Sequence, residues 1–432
     1  MGKGLVIGLI FCSSLAAQWW SPPPHPTGLP SQPFFIRNVW YIGGAGPWDL
    51  MTIDPSAERL YIAHGPVVQV VDVQTGTLAG AIKGLSGAHA IALDDKGVYG
   101  YISDGPAGRV VVFDRRSLQI VAAIPTRPDP RSLVYEPLSG LVFAVHATPP
   151  AQAPPPEQGR GARSNAKGQA EQKSNSQSYI TVIDPQSDSV LGLILISGEL
   201  GYAQTDGAGQ IYVGYSDRGN HTQRIAILRF SASAVAAELH NRLAEAANAP
   251  APKSQASRKS ADNTPTSLDW TGSPGSKDIA ASGLHEVQLG QACGAPRGFA
   301  VDGHNGRLFA ACDNMTLEVI NTATNQTVTT LPIGSGVDEV GYDPVHDYIF
   351  AADGAGDGTL TIIGRNPATD TYAIVQNLPT QQRAFVMAVD PQSGRVYLVT
   401  DLMGADLTRP GGIGTLRLKS INGSFQVIEI GN

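Results

Sequence analysis

Apolar residues in this chain come in short runs bounded by Gly, Pro, Asp and Asn, too short for ordinary helices and read as β-strands. Residues 49–54, 59–64, 67–72 and 77–82 form one group of four such runs, and residues 89–94, 99–104, 110–114 and 118–124 form a second. Some runs are apolar throughout, as in Val110-Val111-Val112-Phe113 and Ile225-Ala226-Ile227-Leu228. A strand of that kind is covered on both faces.

The groups are copies of one unit. An acidic residue closes the first strand of each, as Asp54, Asp94, Glu136, Asp206, Asp302, Asp343 and Asp390, with separations of 40, 42, 70, 96, 41 and 47. Seven repeats are therefore expected, two of them lengthened. Residues 147–177 are rich in Pro, Gln, Ser and Gly without apolar periodicity, the composition of a disordered insertion. Residues 231–283 predict a helix over 233–247, with Val235, Leu239 and Leu243 on one stripe, followed by a polar, disordered tract from 250 to 283. That helix either packs on the domain or docks a partner.

A four-stranded sheet cannot bury both of its faces alone, and radial stacking of seven such sheets solves the problem. The expectation is an all-β, seven-bladed β-propeller of antiparallel four-stranded blades over residues 34–432, with one helical insertion. Residues 34–42 read as an extra outer strand able to join residues 424–430 and close the ring, the alternative being that one of these two strands pairs only marginally. Composition agrees: Gly 49 and Pro 31 supply the many turns, and 42% hydrophobic residues allow a sizeable core.

Residues 1–17, one lysine followed by a short apolar stretch and small residues, read as a cleaved signal peptide. Phe11 before Cys12 argues against lipoprotein processing, and no segment of the mature chain is long and apolar enough to span a bilayer. Residues 18–33 form a Pro-rich linker. Export then predicts a secreted or periplasmic protein, in which Cys293 and Cys312 form a disulfide or remain two buried thiols. A net charge of -7 argues against nucleic acid as a partner.

Three strands carry a further signature: Tyr61-Ile62-Ala63-His64, Tyr101-Ile102-Ser103-Asp104 and Tyr397-Leu398-Val399-Thr400-Asp401, beside Val70-Val71-Asp72 and Ile180-Thr181-Val182-Ile183-Asp184. In these the chain resembles the YVTN-repeat β-propellers, exported bacterial and archaeal repeat proteins. The resemblance implies a binding component and no shared catalytic residue. The final Asn of that motif is absent from all three strands.

In a propeller the start of the first strand and the end of the second emerge on one face, around the channel. Two rings of side chains follow. Asp49, His89, Arg131, Gly201, Arg297, Asp338 and Phe385 stand five residues before the marker acids; His64, Asp104, His146, Tyr215, Cys312, Asp353 and Thr400 end the second strands. Such a mouth is a ligand site for a protein or small molecule. Its charged members are Asp49, His64, His89, Asp104, Arg131, His146, Arg297, Asp338 and Asp353, the two arginines suited to a carboxylate or phosphate. His64, His89 and His146 with Asp104 have the donor chemistry of a divalent metal site, the one cofactor the sequence suggests. The competing reading has these groups satisfying loop backbone. The marker acids read as turn residues.

No nucleophile elbow, zinc-protease motif, phosphate-cradling loop or haem-attachment motif occurs. The reading reached is an exported, noncatalytic binding or interaction scaffold. The alternative is a metal-dependent hydrolase, lactonase-like, with its His/Asp site at the same mouth.

Overall fold

The computed structural model describes residues 28–30, 32–44, 46–146, 177–217, 224–248, 266–270, 283–405 and 418–432. The expected signal peptide, most of the linker and nearly all of the first insertion lie outside the described residues.

Seven antiparallel sheets form the blades of a ring. The first comprises Trp48–Asp54, Arg59–His64, Val67–Asp72 and Thr77–Ile82, in order from the axis outward. Their alternation explains why the middle strands look apolar throughout. Leu60 and Ile62 pack toward the last blade, whereas Tyr61 and Ala63 pack toward the second. Successive side chains of a strand point to opposite faces, and here each face meets a neighbouring blade. Among the described residues, six buried clusters lie between blades in this way, one of them spanning the sixth, seventh and first.

The ring closes through the N-terminal strand. Phe35–Tyr41 pairs antiparallel with Gln426–Gly431, which in turn pairs with Arg395–Thr400, so the seventh blade is built from both chain ends. Phe34 is 2% exposed and meets Tyr348 edge-on at 4.8 Å between ring centroids.

All seven marker acids accept backbone N–H groups of the turns that follow: Ala57 donates to Asp54, Val98 to Asp94, Leu138 to Glu136, Ala208 to Asp206, Asn305 to Asp302, Val345 to Asp343 and Gln392 to Asp390. The repeat is therefore punctuated by a hydrogen-bonding requirement of the turn. Some of these acids also join blades. Arg115 of the second blade is buried between Asp54 and Asp94, and the Tyr342 hydroxyl donates to Asp302 at 2.9 Å.

The second insertion departs from the expected polar tract. Its helix, Ala232–Asn248, buries Val235 and Leu239 in the cluster between the third and fourth blades. Leu243, expected on the same stripe, is 40% exposed. Beyond the helix, Ser267–Trp270 forms a strand, pairing parallel with Ser189–Ser197 as a fifth strand of the third blade. Leu268 is fully buried there and the Ser267 carbonyl accepts from Arg242 at 2.8 Å. Four residues in a polar stretch carry too little periodicity to be read as a strand; the unpaired edge of the third blade recruits them.

Candidate functional site

The innermost strands do not run straight into the channel. In five of the blades their pairing slips at the ring position, between Trp48 and Met51, Ala88 and Ile91, Pro130 and Ser132, Leu200 and Ala203, and Pro296 and Gly298. An irregularity of this kind bends the strand and re-aims a side chain. Here it falls at the residue five before the marker acid. Its effect is selective, because the residue just before it stays paired with the end of the second strand: Trp48 with His64, Ala88 with Asp104, Pro130 with His146, and Pro296 with Cys312.

The two expected rings consequently have different fates. Of the first, Asp49, Arg131, Gly201, Arg297, Asp338 and Phe385 line one cavity of about 270 Å³. His89, the seventh member, stands behind the wall, where Nδ1 donates to Asp49 Oδ2 at 2.7 Å. The second ring is mostly withdrawn into blade interiors. Asp104 is fully buried, accepts the Ser86 and Gly87 amides and pairs with Arg109. His64 is 2% exposed and donates from Nδ1 to Gln69 at 2.7 Å. It borders a separate cavity of about 450 Å³ at the junction of the seventh and first blades. Thr400 donates to the Gln382 carbonyl. Tyr215 borders a groove of about 350 Å³ across the fourth and fifth blades, which shares Leu200, Gly201, Tyr202 and Arg297 with the axial cavity.

Burial shifts the ionisation of His146 and Asp353. His146 is fully buried, donating from Nδ1 to the Pro128 carbonyl and accepting at Nε2 from Thr181, a pattern neutral imidazole satisfies. Desolvation pushes its pKa down to about 4. Asp353, also fully buried, is pushed up to about 6 by desolvation, against a hydrogen bond from Thr361 at 2.6 Å.

The expected metal set is not brought together. His64, His89, His146 and Asp104 are each held by the partners just given, and no group of three or more His, Cys, Asp or Glu among the described residues is placed to share an ion. They are spread over three blades, and the pairing that ends each second strand holds His64, Asp104 and His146 in separate walls.

Cys312 does not face the channel either. It is bonded to Cys293 with a Cα–Cα distance of 5.4 Å, in the same blade. Ala295 donates to Asp313 Oδ1, which ties the segment before Arg297 to the end of the second strand. Arg297 is thus mounted on a fastened turn.

Several lining residues fall outside both rings, Trp48, Tyr202 and Glu339 among them. Glu339 is 8% exposed, and its Oε2 accepts the Met387 amide at 2.6 Å. Burial raises its pKa to about 8, with the negative charges of Asp338 and Asp49 adding to the rise, so it is largely neutral at pH 7. Asp338 is raised too, by burial first and by Asp49, with Arg297 opposing. Burial and the proximity of Glu339 raise the Tyr202 phenol. A sequence signal did exist. The residue four before the marker acid is Leu50, Ala90, Ser132, Tyr202, Gly298, Glu339 and Val386 in the seven repeats, so an acid there breaks a mainly small or apolar column. Gly298 makes room for it: a Cβ at Gly298 would lie 2.8 Å from the Cα of Glu339.

No family model matches this sequence, and no curated protein matches it. Solved structures share its fold at low identity. A structure described as U3-55K is 7% identical with a TM-score of 0.58, covering 91% of this chain and 98% of that one. A chain of a mitotic checkpoint complex is 13% identical with a TM-score of 0.53, over 92% and 95%. A chain of hydrazine synthase from Kuenenia stuttgartiensis is 14% identical with a TM-score of 0.50, over 76% and 82%. These likenesses concern the fold alone.

Proposed function

We propose that the chain is an exported, noncatalytic binding scaffold of the YVTN-repeat type, which recognises its ligand at the axial mouth. One observation carries the reading: side chains from six blades, two arginines and three carboxyl groups among them, converge on a single cavity of about 270 Å³. Concave sites with a few convergent polar groups on rigid walls are the usual form of a ligand site. Export is supported by the N-terminal residue pattern and by the Cys293–Cys312 bond, which persists in oxidising compartments. The hydrolase alternative needs His64, His89, His146 and Asp104 together, and each is engaged elsewhere.

Gly201→Leu tests the reading. A Cβ at Gly201 meets nothing closer than the Gly214 carbonyl oxygen at 3.8 Å, so the blade tolerates the side chain while its outer atoms fill the mouth. Native mass spectrometry and affinity capture from the source envelope are expected to show a bound component with the natural protein and its loss with Gly201→Leu. Equal retention by both proteins refutes a mouth site.

A further inference from the structure

The cavity is divided by charge. Around the ring, Arg131 of the third blade and Arg297 of the fifth flank Gly201 of the fourth; across the channel, Asp338 of the sixth and Asp49 of the first flank Phe385 of the seventh. Gly201 has no side chain, so open space separates the two guanidinium groups. Phe385 offers an apolar ring between two carboxylates. Each half of the ring therefore consists of two like charges with an uncharged position between them, and the halves are opposite in sign.

Among the described residues no ion pair joins the two halves. Arg131 uses its Nε on Asp129 at 2.9 Å, and Arg297 has Asp313 no closer than 3.8 Å. Both side chains are 56% exposed. Among the described residues no group donates a hydrogen bond to the Asp338 carboxylate. Beside it, the Glu339 side chain, more than nine-tenths buried, borders the same cavity with one oxygen engaged by Met387. Like charges gathered in a partly desolvated site raise each other's energy. An ion of opposite sign relieves that repulsion in each half.

Building on the mouth as a ligand site, we propose that it takes a small zwitterion, an ω-amino acid in chemical class. Its carboxylate lies over Gly201 between Arg131 and Arg297, and its ammonium lies beside Phe385 between Asp49 and Asp338. A simple anion would leave the acidic half uncompensated, and a simple amine the basic half. The cavity equals about nine water volumes at ~30 Å³ each, which suits a chain of about nine non-hydrogen atoms. Planar guanidinium groups suit a carboxylate, and an ammonium gains from both the carboxylates and the aromatic face.

Calorimetric titration at neutral pH and low salt with 6-aminohexanoate, hexylamine and hexanoate tests the assignment. The zwitterion is expected to bind at least about tenfold more tightly than either singly charged analogue. Arg297→Gln should bring its affinity down to that of hexylamine, and Asp338→Asn to that of hexanoate, with unchanged circular dichroism and melting temperature. Equal binding of a singly charged analogue, no binding of any probe, or indifference to both substitutions overturns the zwitterion. The mouth reading fails separately, only if Gly201→Leu leaves capture of the native component intact.

Discussion

Glu339→Gln isolates the cost of placing a carboxyl group in the channel wall. In the folded chain Glu339 titrates at about 8, against an ordinary value of 4.5, because burial and the charges of Asp338 and Asp49 disfavour its ionised form. The unfolded chain therefore releases this proton at lower pH than the folded one, and stability falls as pH rises from about 4.5 to about 8. From those two values the penalty is about 1 kcal/mol at pH 5 and about 3 kcal/mol at pH 7. Gln keeps the length of the side chain and an oxygen for the Met387 amide, but does not ionise. Its other charged or titratable neighbours, Asp338, Asp49, Arg297 and Tyr202, are unchanged. The variant should be more stable than the natural protein at pH 7 and nearly equal to it at pH 4.5. Urea unfolding of both proteins from pH 4.5 to 8.5, followed by tryptophan fluorescence, measures the difference. A difference that stays constant with pH, or a variant less stable at pH 7, means that Glu339 is ionised in the fold, and the account of the channel electrostatics is then wrong.

Other changes test the frame that carries the site. Replacing Cys293 and Cys312 by Ala removes a cross-link spanning 19 residues and is expected to lower the unfolding free energy by about 3 kcal/mol on chain-entropy grounds, read by denaturant titration. An unchanged midpoint in both oxidised and reduced protein would contradict a bond at this position. Arg115→Met leaves Asp54 and Asp94 buried without their shared cation and should cost about 3–5 kcal/mol, whereas the double change with Asp54→Asn should recover part of it. Removing residues 34–42 exposes the edge of Gln426–Gly431 and empties the Phe34 pocket. Light scattering should then show association or loss of the cooperative monomer; a stable monomer with unaltered melting would refute closure through the N-terminal strand.

Seven marker acids could be aligned in the sequence because each answers a local demand: a turn after the innermost strand needs an acceptor for its free N–H groups, whatever the rest of the chain does. Strand content, blade number and the participation of residues 34–42 followed from period and alternation, which are properties of neighbours along the chain. The helix over 233–247 was visible for the same reason, through its apolar spacing. The strand at Ser267–Trp270 was not visible, since its partner lies far away in sequence and its own four residues carry no pattern.

The mouth divides along the same line. Spacing from the marker acid placed Asp49, Arg131, Gly201, Arg297, Asp338 and Phe385 at equivalent points, and a repeat in a closed ring brings equivalent points to one axis. Which side chains face that axis is another matter, settled by strand pairing and by packing between blades. His64, Asp104, His146 and Asp353 occupy the level expected for a shared rim, yet their pairing turns them into the walls, where burial moves the pKa of His146 down and that of Asp353 up. At Glu339 the backbone comes close to Gly298 of the adjacent blade, an approach that a side chain there would block. Local hydrogen bonding and periodicity are written residue by residue, so the architecture is legible from the chain; desolvation and orientation depend on contacts between distant repeats, so the chemistry of the mouth emerges only once the ring has closed.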